Sequence, residues 1–137
     1  MDWLQDFRRA VFSNLADPEV VELAHKDPRT LPELVAVVRA WLPYGFAGPD
    51  WHRIMSLQES AARGSWACAD AAAFFAAVAL LRRAASLSLC VEQHPDDDSY
   101  SHVRMVVDGA VLEPWPERRW EVPACSGRVD VRKLVGR

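Results

Sequence analysis

The sequence predicts an α+β fold, with helices first and a small antiparallel sheet after them. Three observations carry that reading. Apolar residues in the first half recur at helical spacing. The segments 86–93 and 128–133 alternate as strands do. Asp108-Gly109 sits between two apolar runs, the strongest short-range signal for a hairpin. The chain has 137 residues, which fits one domain, and half of them are hydrophobic, so a sizeable core can be buried.

Residues 2–14 predict a helix, because Trp3, Leu4, Phe7, Val11 and Leu15 fall on one face. Asp17-Pro18 has the form of a helix start, with Asp as N-cap and Pro at the first position, and the helix is expected over 18–26. A third helix is expected from Thr30, with Pro32 and Glu33 in its first turn and Leu34, Val35, Val38, Trp41 and Leu42 as its stripe. Pro43, Gly45, Gly48 and Pro49 end it in a loop, and a short helix is expected within 50–63. A long Ala- and Phe-rich helix follows over 66–84, with Arg82 and Arg83 in its last turn, where cations suit the dipole. Residues 86–93 form a strand, His94 to Ser99 a polar loop, and 102–107 with 110–114 the hairpin. Residues 128–133 add a further strand. The segment 117–137, with Trp120, Cys125, Val129 and Val131, completes the sheet or mediates assembly.

Composition narrows the function. The formal charge is −3 and no basic stretch is long, which argues against nucleic acid as the main partner. No charge-free apolar run approaches the ~18 residues of a membrane span, and the longest, Ala71 to Leu81, reads as a core helix. The first residues carry acids and lack the apolar region of a secretory signal. Cys68, Cys90 and Cys125 are an odd number without metal-ligand spacing, so the expectation is a cytoplasmic protein with reduced thiols, holding no metal and no cofactor.

The stretch Gly64-Ser-Trp66-Ala-Cys68-Ala-Asp70 places a thiol in the first turn of a helix. Unpaired backbone N–H groups and the positive end of the dipole favour a thiolate there, and the same N–H groups suit an oxyanion. The alternative is a buried, inert cysteine, since free Cys is among the most buried residue types. A two-residue turn at Asp108-Gly109 sets Val107 opposite Ala110, Met105 opposite Leu112 and Arg104 opposite Glu113. His102 then shares a face with Arg104 and Glu113, and lies about 7–8 Å from Glu113 along the diagonal. A glutamate can span that distance and orient an imidazole, as the acid of a nucleophile–base–acid triad does. Equally, Arg104 and Glu113 can form a cross-strand ion pair. Asp70 reads either as a structural first-turn carboxylate or as a functional one. Trp66, two residues before Cys68, and Trp115, opposite His102 in that register, can wall a substrate cleft. Asp96-Asp97-Asp98 reads as a solvated loop tip, and His25, His52 and His94 as surface or loop residues.

Cys68-Ala-Asp70 opening an Ala-rich helix, a strand, Ser-His102-Val on the next strand, then Asp-Gly and Val-Leu-Glu113-Pro together resemble the transglutaminase-like cysteine peptidase superfamily, in the small single-domain form found in phage and prophage genomes. Upstream segments from Asp17 onward resemble that family in the same order, so about residues 17–116 are covered. The resemblance implies a papain-like core in one transglutaminase-like domain, with the nucleophile helix packed on an antiparallel sheet. It implies Cys68 as nucleophile, His102 as base and acid, and Glu113 where the family usually has Asp. The implied chemistry is thiolate attack on the amide of a protein or peptide substrate, giving an acyl-enzyme resolved by water or an amine. The chain departs from the family before the cysteine, where Gly64-Ser-Trp66-Ala67 replaces a Gly-x-Gly-Asp pattern, and at Met55-Ser-Leu, where Gln-Ser-Pro is common. The second reading is a catalytically degenerate domain serving protein interaction or virion structure. A redox use of Cys68 with Cys90 lacks any redox spacing.

Overall fold

A computed structural model describes residues 3–45, 53–93, 100–115 and 127–136, with backbone alone for 92, 93 and 100–102. The helices are α1 (Trp3–Leu15), α2 (Pro18–Lys26), α3 (Leu31–Arg39), α4 (Leu57–Arg63) and α5 (Cys68–Leu81). The strands β1 (Leu87–Gln93), β2 (Tyr100–Val107), β3 (Ala110–Leu112) and β4 (Gly127–Asp130) follow, and α6 (Val131–Val135) closes the order. The fold is therefore α+β, with helices segregated from an antiparallel sheet of order β3-β2-β1-β4.

The helix starts follow local capping chemistry. Asp17 accepts from the Glu19 amide and Pro18 opens α2. Thr30 with Glu33, and Ser56 with Glu59, form reciprocal capping boxes at α3 and α4. Gly64 ends α4 at φ +86°, the left-handed conformation that a side chain would strain. At the hairpin, Asp108 and Gly109 have φ of 48° and 84°, the primed turn that matches the twist of paired strands. The Asp108 carboxylate also accepts from the Ser86 amide at 2.8 Å. The register is Met105 with Leu112, Val106 with Val111 and Val107 with Ala110, as the turn predicts.

Three expectations are corrected. The third helix ends at Arg39, so Trp41 and Leu42 lie beyond it rather than on its stripe. The long helix spans Cys68–Leu81, and Arg82 is its C-cap. The guanidinium of Arg82 donates to the carbonyls of Leu23, Ala24, Asp27 and Arg29, satisfying the C-terminal end of α2 and the turn after it rather than its own helix. Val131–Lys133 are helical, not extended. Asp130 accepts from the Lys133 amide as an N-cap and stops β4, so only 127–130 joins the sheet. The polar loop His94 to Ser99, with Asp96, Asp97 and Asp98, lies outside the described residues, as do His52, Trp120 and Cys125. His25 is exposed on α2.

The core is organised around α5, where every residue from Cys68 to Ala79 is buried. A helix apolar on all sides must be enclosed on all sides. Here α1, α2, α3 and α4 cover one part of it, and β1 and β2 cover the other. Leu87, Leu89 and Val91 of β1 and Val103, Met105 and Val107 of β2 supply the buried face of the sheet. Seven alanines, from Ala69 to Ala79, keep α5 thin enough for close approach, while Phe74 and Phe75 fill the gaps. Each buried ring is worth roughly 1.5–3 kcal/mol in transfer free energy.

Candidate active site

Cys68 is the first helical residue of α5, preceded by Ala67 in extended conformation. Ala67 provides no side-chain cap, so the first amides of α5 receive no acceptor from the cap residue. Asp70, at the third helical position, acts backwards instead. One carboxylate oxygen accepts from the Ala67 amide at 2.9 Å and from Arg63 Nη2 at 2.6 Å. The other accepts from the Met55 amide at 2.8 Å. Burial pushes the Asp70 carboxyl above the ordinary range, against the Met55 and Ala67 amides and Arg63, which pull it down. Asp70 thus ties three pieces together: the start of α5, the end of α4 and the loop before α4. These contacts are structural ones, and the partner Arg63 had no signal in the sequence, being a side chain of another helix brought in by the Gly64 turn.

Around Cys68 the chain builds an aromatic cluster. The segment after α3 runs beside the segment before α5, with the Trp66 amide donating to the Pro43 carbonyl and the Gly45 amide to the Trp66 carbonyl. Trp66 is fully buried, stacked on Trp41 at 6.4 Å and edge-on to Trp115 at 6.0 Å. Tyr44 meets Trp115 at 5.1 Å. The indole N–H of Trp66 has no hydrogen-bond partner among the described residues. Trp66 and Trp115, expected as cleft walls, are 0% and 4% exposed and form part of the core.

The Trp66–Trp115 contact also fixes which ends of the elements meet. Trp115 leaves β3 by way of Glu113, and β3 runs antiparallel to β2. The start of α5, the exit of β3 and the first residues of β2 therefore gather at one end of the domain. Within β2, Glu92 pairs with His102 and Gln93 with Tyr100, which leaves Ser101 as the extra residue of a β-bulge directly before His102. In register His102 takes the phase of Arg104 and Val106, alternate to the buried phase of Val103, Met105 and Val107. Glu113 is half-buried just past the last paired residue, Leu112.

Cys68 is itself buried, at 6% exposure, and is the free cysteine among the described residues. Cys90 is disulfide-bonded, which corrects the expectation of reduced thiols at that position and removes it as a redox partner of Cys68. Among the described residues no group of three His, Cys, Asp or Glu side chains is placed to hold a metal, and no helix is long and apolar enough to cross a membrane. Comparison with known protein families, with curated proteins and with solved structures returns no match for this chain.

Proposed function

We propose that the protein is a thiol-dependent amide hydrolase or acyltransferase of the transglutaminase-like, papain-like kind, with Cys68 as nucleophile, His102 as base and acid, and Glu113 as the group that orients it. The observation that carries this reading is topological: a free thiol opens the central helix at the same end of the domain where β2 begins and β3 leaves. A thiolate at that position attacks an amide carbonyl while the uncapped amides of the first helical turn face the developing oxyanion. The imidazole, having taken the thiol proton, gives it to the leaving amine, and water or a second amine, deprotonated by the imidazole, then resolves the thioester and releases the thiol sulfur. His102 stands in the phase of Arg104 and Val106, alternate to the sheet face that packs on α5, so the reading requires the bulge at Ser101 to turn the strand toward the Cys68 end, as bulges beside active sites do.

Two observations favour a second reading, a degenerate domain that binds without reacting. Cys68 is covered, and Trp66 fills the place where the related pattern has small residues. The alkylation rate of Cys68 against pH, read by mass spectrometry in the wild type and in His102→Ala, separates the two. Rapid labelling well below pH 8, slowed by the His102 change, is the result expected of an assembled pair. Slow labelling in both proteins would sink the catalytic reading in favour of the binding domain.

A further inference from the structure

Three depressions meet along α2, and Glu19 borders all of them. The most enclosed, about 430 Å³, is walled by Val20 and Leu23 of α2, Leu57 of α4 and Phe74 of α5, with Trp41 beside them. That size and apolar lining suit one large side chain. Trp41 is 37% exposed, although Trp66 and Phe74 hold it from within. An indole kept in place yet open to solvent is a ready surface for an apolar or cationic group. The two flanking depressions, about 370 and 510 Å³, add Glu22 and Asp27 on one side and Asp17 on the other.

The charges around this groove do not balance. Among the described residues Lys26 is the one basic side chain lining the three depressions, and it pairs with Glu22 at 3.8 Å. Asp27 is paired with Arg29, and Asp17 caps α2 and accepts from Gln58. The Glu19 carboxylate accepts from Gln58 Nε2 at 3.3 Å and has no cation partner among the described residues. An unpaired carboxylate at the border of an apolar groove selects a ligand that is apolar and cationic together. The three depressions run along α2 from Asp17 to Asp27, so the complementary ligand is an extended chain rather than a compact amine.

We propose that this groove binds an extended basic segment of a partner polypeptide, with a large apolar side chain seated against Trp41 and Phe74 and a flanking lysine or arginine paired with Glu19. Cys68 does not line the groove, so the proposal is independent of the thiol chemistry. The test is an NMR titration of the full chain with three probes: the acetylated, amidated peptide Ala-Lys-Trp-Lys-Ala, its Ala-Glu-Trp-Glu-Ala counterpart, and hexylamine. The lysine peptide is expected to give saturable shifts at Glu19, Leu57, Ala61 and the Trp41 indole, with a dissociation constant on the order of 0.1–1 mM. Glu19→Gln is expected to weaken it about fivefold. Ala61→Trp, at an exposed position lining the groove, is expected to abolish it. If that variant fails to fold, the Glu19→Gln titration still decides. No saturable shift below about 5 mM, equal binding of the glutamate peptide, or no effect of Glu19→Gln overturns the proposal. Hexylamine binding at the same residues as tightly as the lysine peptide overturns it too, in favour of a small-amine site.

Discussion

Replacing Asp70 by Ala removes the one acceptor shared by three donors: the Met55 amide, the Ala67 amide and Arg63 Nη2. Asp70 is 2% exposed and the Arg63 side chain 12%, so water does not readily substitute. Breaking a buried ion pair from one side costs about 3–5 kcal/mol, because the surviving charge stays buried. Arg63 keeps its bond to the Ser65 carbonyl at 3.0 Å, which places the pair at the lower end of that range. The two orphaned amides add part of the roughly 1–3 kcal/mol that an unsatisfied buried group costs. The contributions overlap, and about 4 kcal/mol is expected in total. Against the roughly 5–15 kcal/mol that holds a domain of this size, Asp70→Ala sits close to unfolding. Asp70→Asn keeps one oxygen and should lose about half as much, roughly 2 kcal/mol.

Urea unfolding followed by tryptophan fluorescence measures these losses, and a cycle with Arg63→Met isolates the pair. A coupling of about 1.5–3 kcal/mol is expected for groups in one network. A loss below about 1 kcal/mol for Asp70→Ala, or no coupling to Arg63, would refute the clamp. The pH dependence supplies a separate check. Burial holds the Asp70 carboxyl above its ordinary value, so the native chain binds this proton more tightly than the unfolded chain does. The contribution of Asp70 is therefore greatest in acid and declines as pH rises from the ordinary carboxylate value through the raised one. Asp70→Asn should lack that decline.

At Asp27 the sign is opposite. The Arg29 side chain, aided by the Arg29 amide, lowers its carboxyl from 3.8 to about 2, so its contribution is present above the ordinary value and lost as pH falls through about 2. A carboxyl carbon NMR titration should give a midpoint near 2 for Asp27 and a return toward 3.8 in Arg29→Ala, whereas a wild-type midpoint at 3.8 removes the pair. At the hairpin, Gly109→Val forces a β-branched residue to φ 84° and should cost about 1–2 kcal/mol by urea unfolding. An unchanged midpoint would mean that the turn relaxes to another type at no cost.

Where a few neighbouring residues decide an element, the chain could be read directly. Asp17-Pro18 opens α2, Thr30 with Glu33 opens α3, and Asp108-Gly109 sets the hairpin register down to Met105 opposite Leu112. Each signal acts within a turn and does not depend on tertiary contacts. The strand expected at 128–133 failed for the same kind of reason. Alternation of Val129 and Val131 suits a strand, but Asp130 caps a helix at the residue between them, and a cap acts over three residues where alternation needs five or six. Arg82 shows the opposite limit. A cation at the end of a helix reads as dipole chemistry, yet its guanidinium serves carbonyls of Leu23, Ala24, Asp27 and Arg29, more than fifty positions away in the chain.

The candidate site has the same division. Cys68 at a helix start and Asp70 two residues later are visible as a pattern, and their placement in the first turn of α5 follows from it. Their surroundings do not follow, because they depend on what encloses α5. Since that helix is apolar on every side, its first turn is covered as well, and Trp66 and Trp115 become core rather than cleft. Reaction at Cys68 therefore requires the aromatic cluster at that end to yield. Asp70 opposes such yielding, because it fixes the α5 start to the Met55 loop and to Arg63 on the other side of the same turn. This polar clamp and the candidate nucleophile are thus two residues apart. If the thiol is reactive, a mild loosening of the clamp through Arg63→Lys should speed Cys68 alkylation while lowering stability. If the site is degenerate, the same change should lower stability in step with any gain in labelling, as global unfolding alone would give.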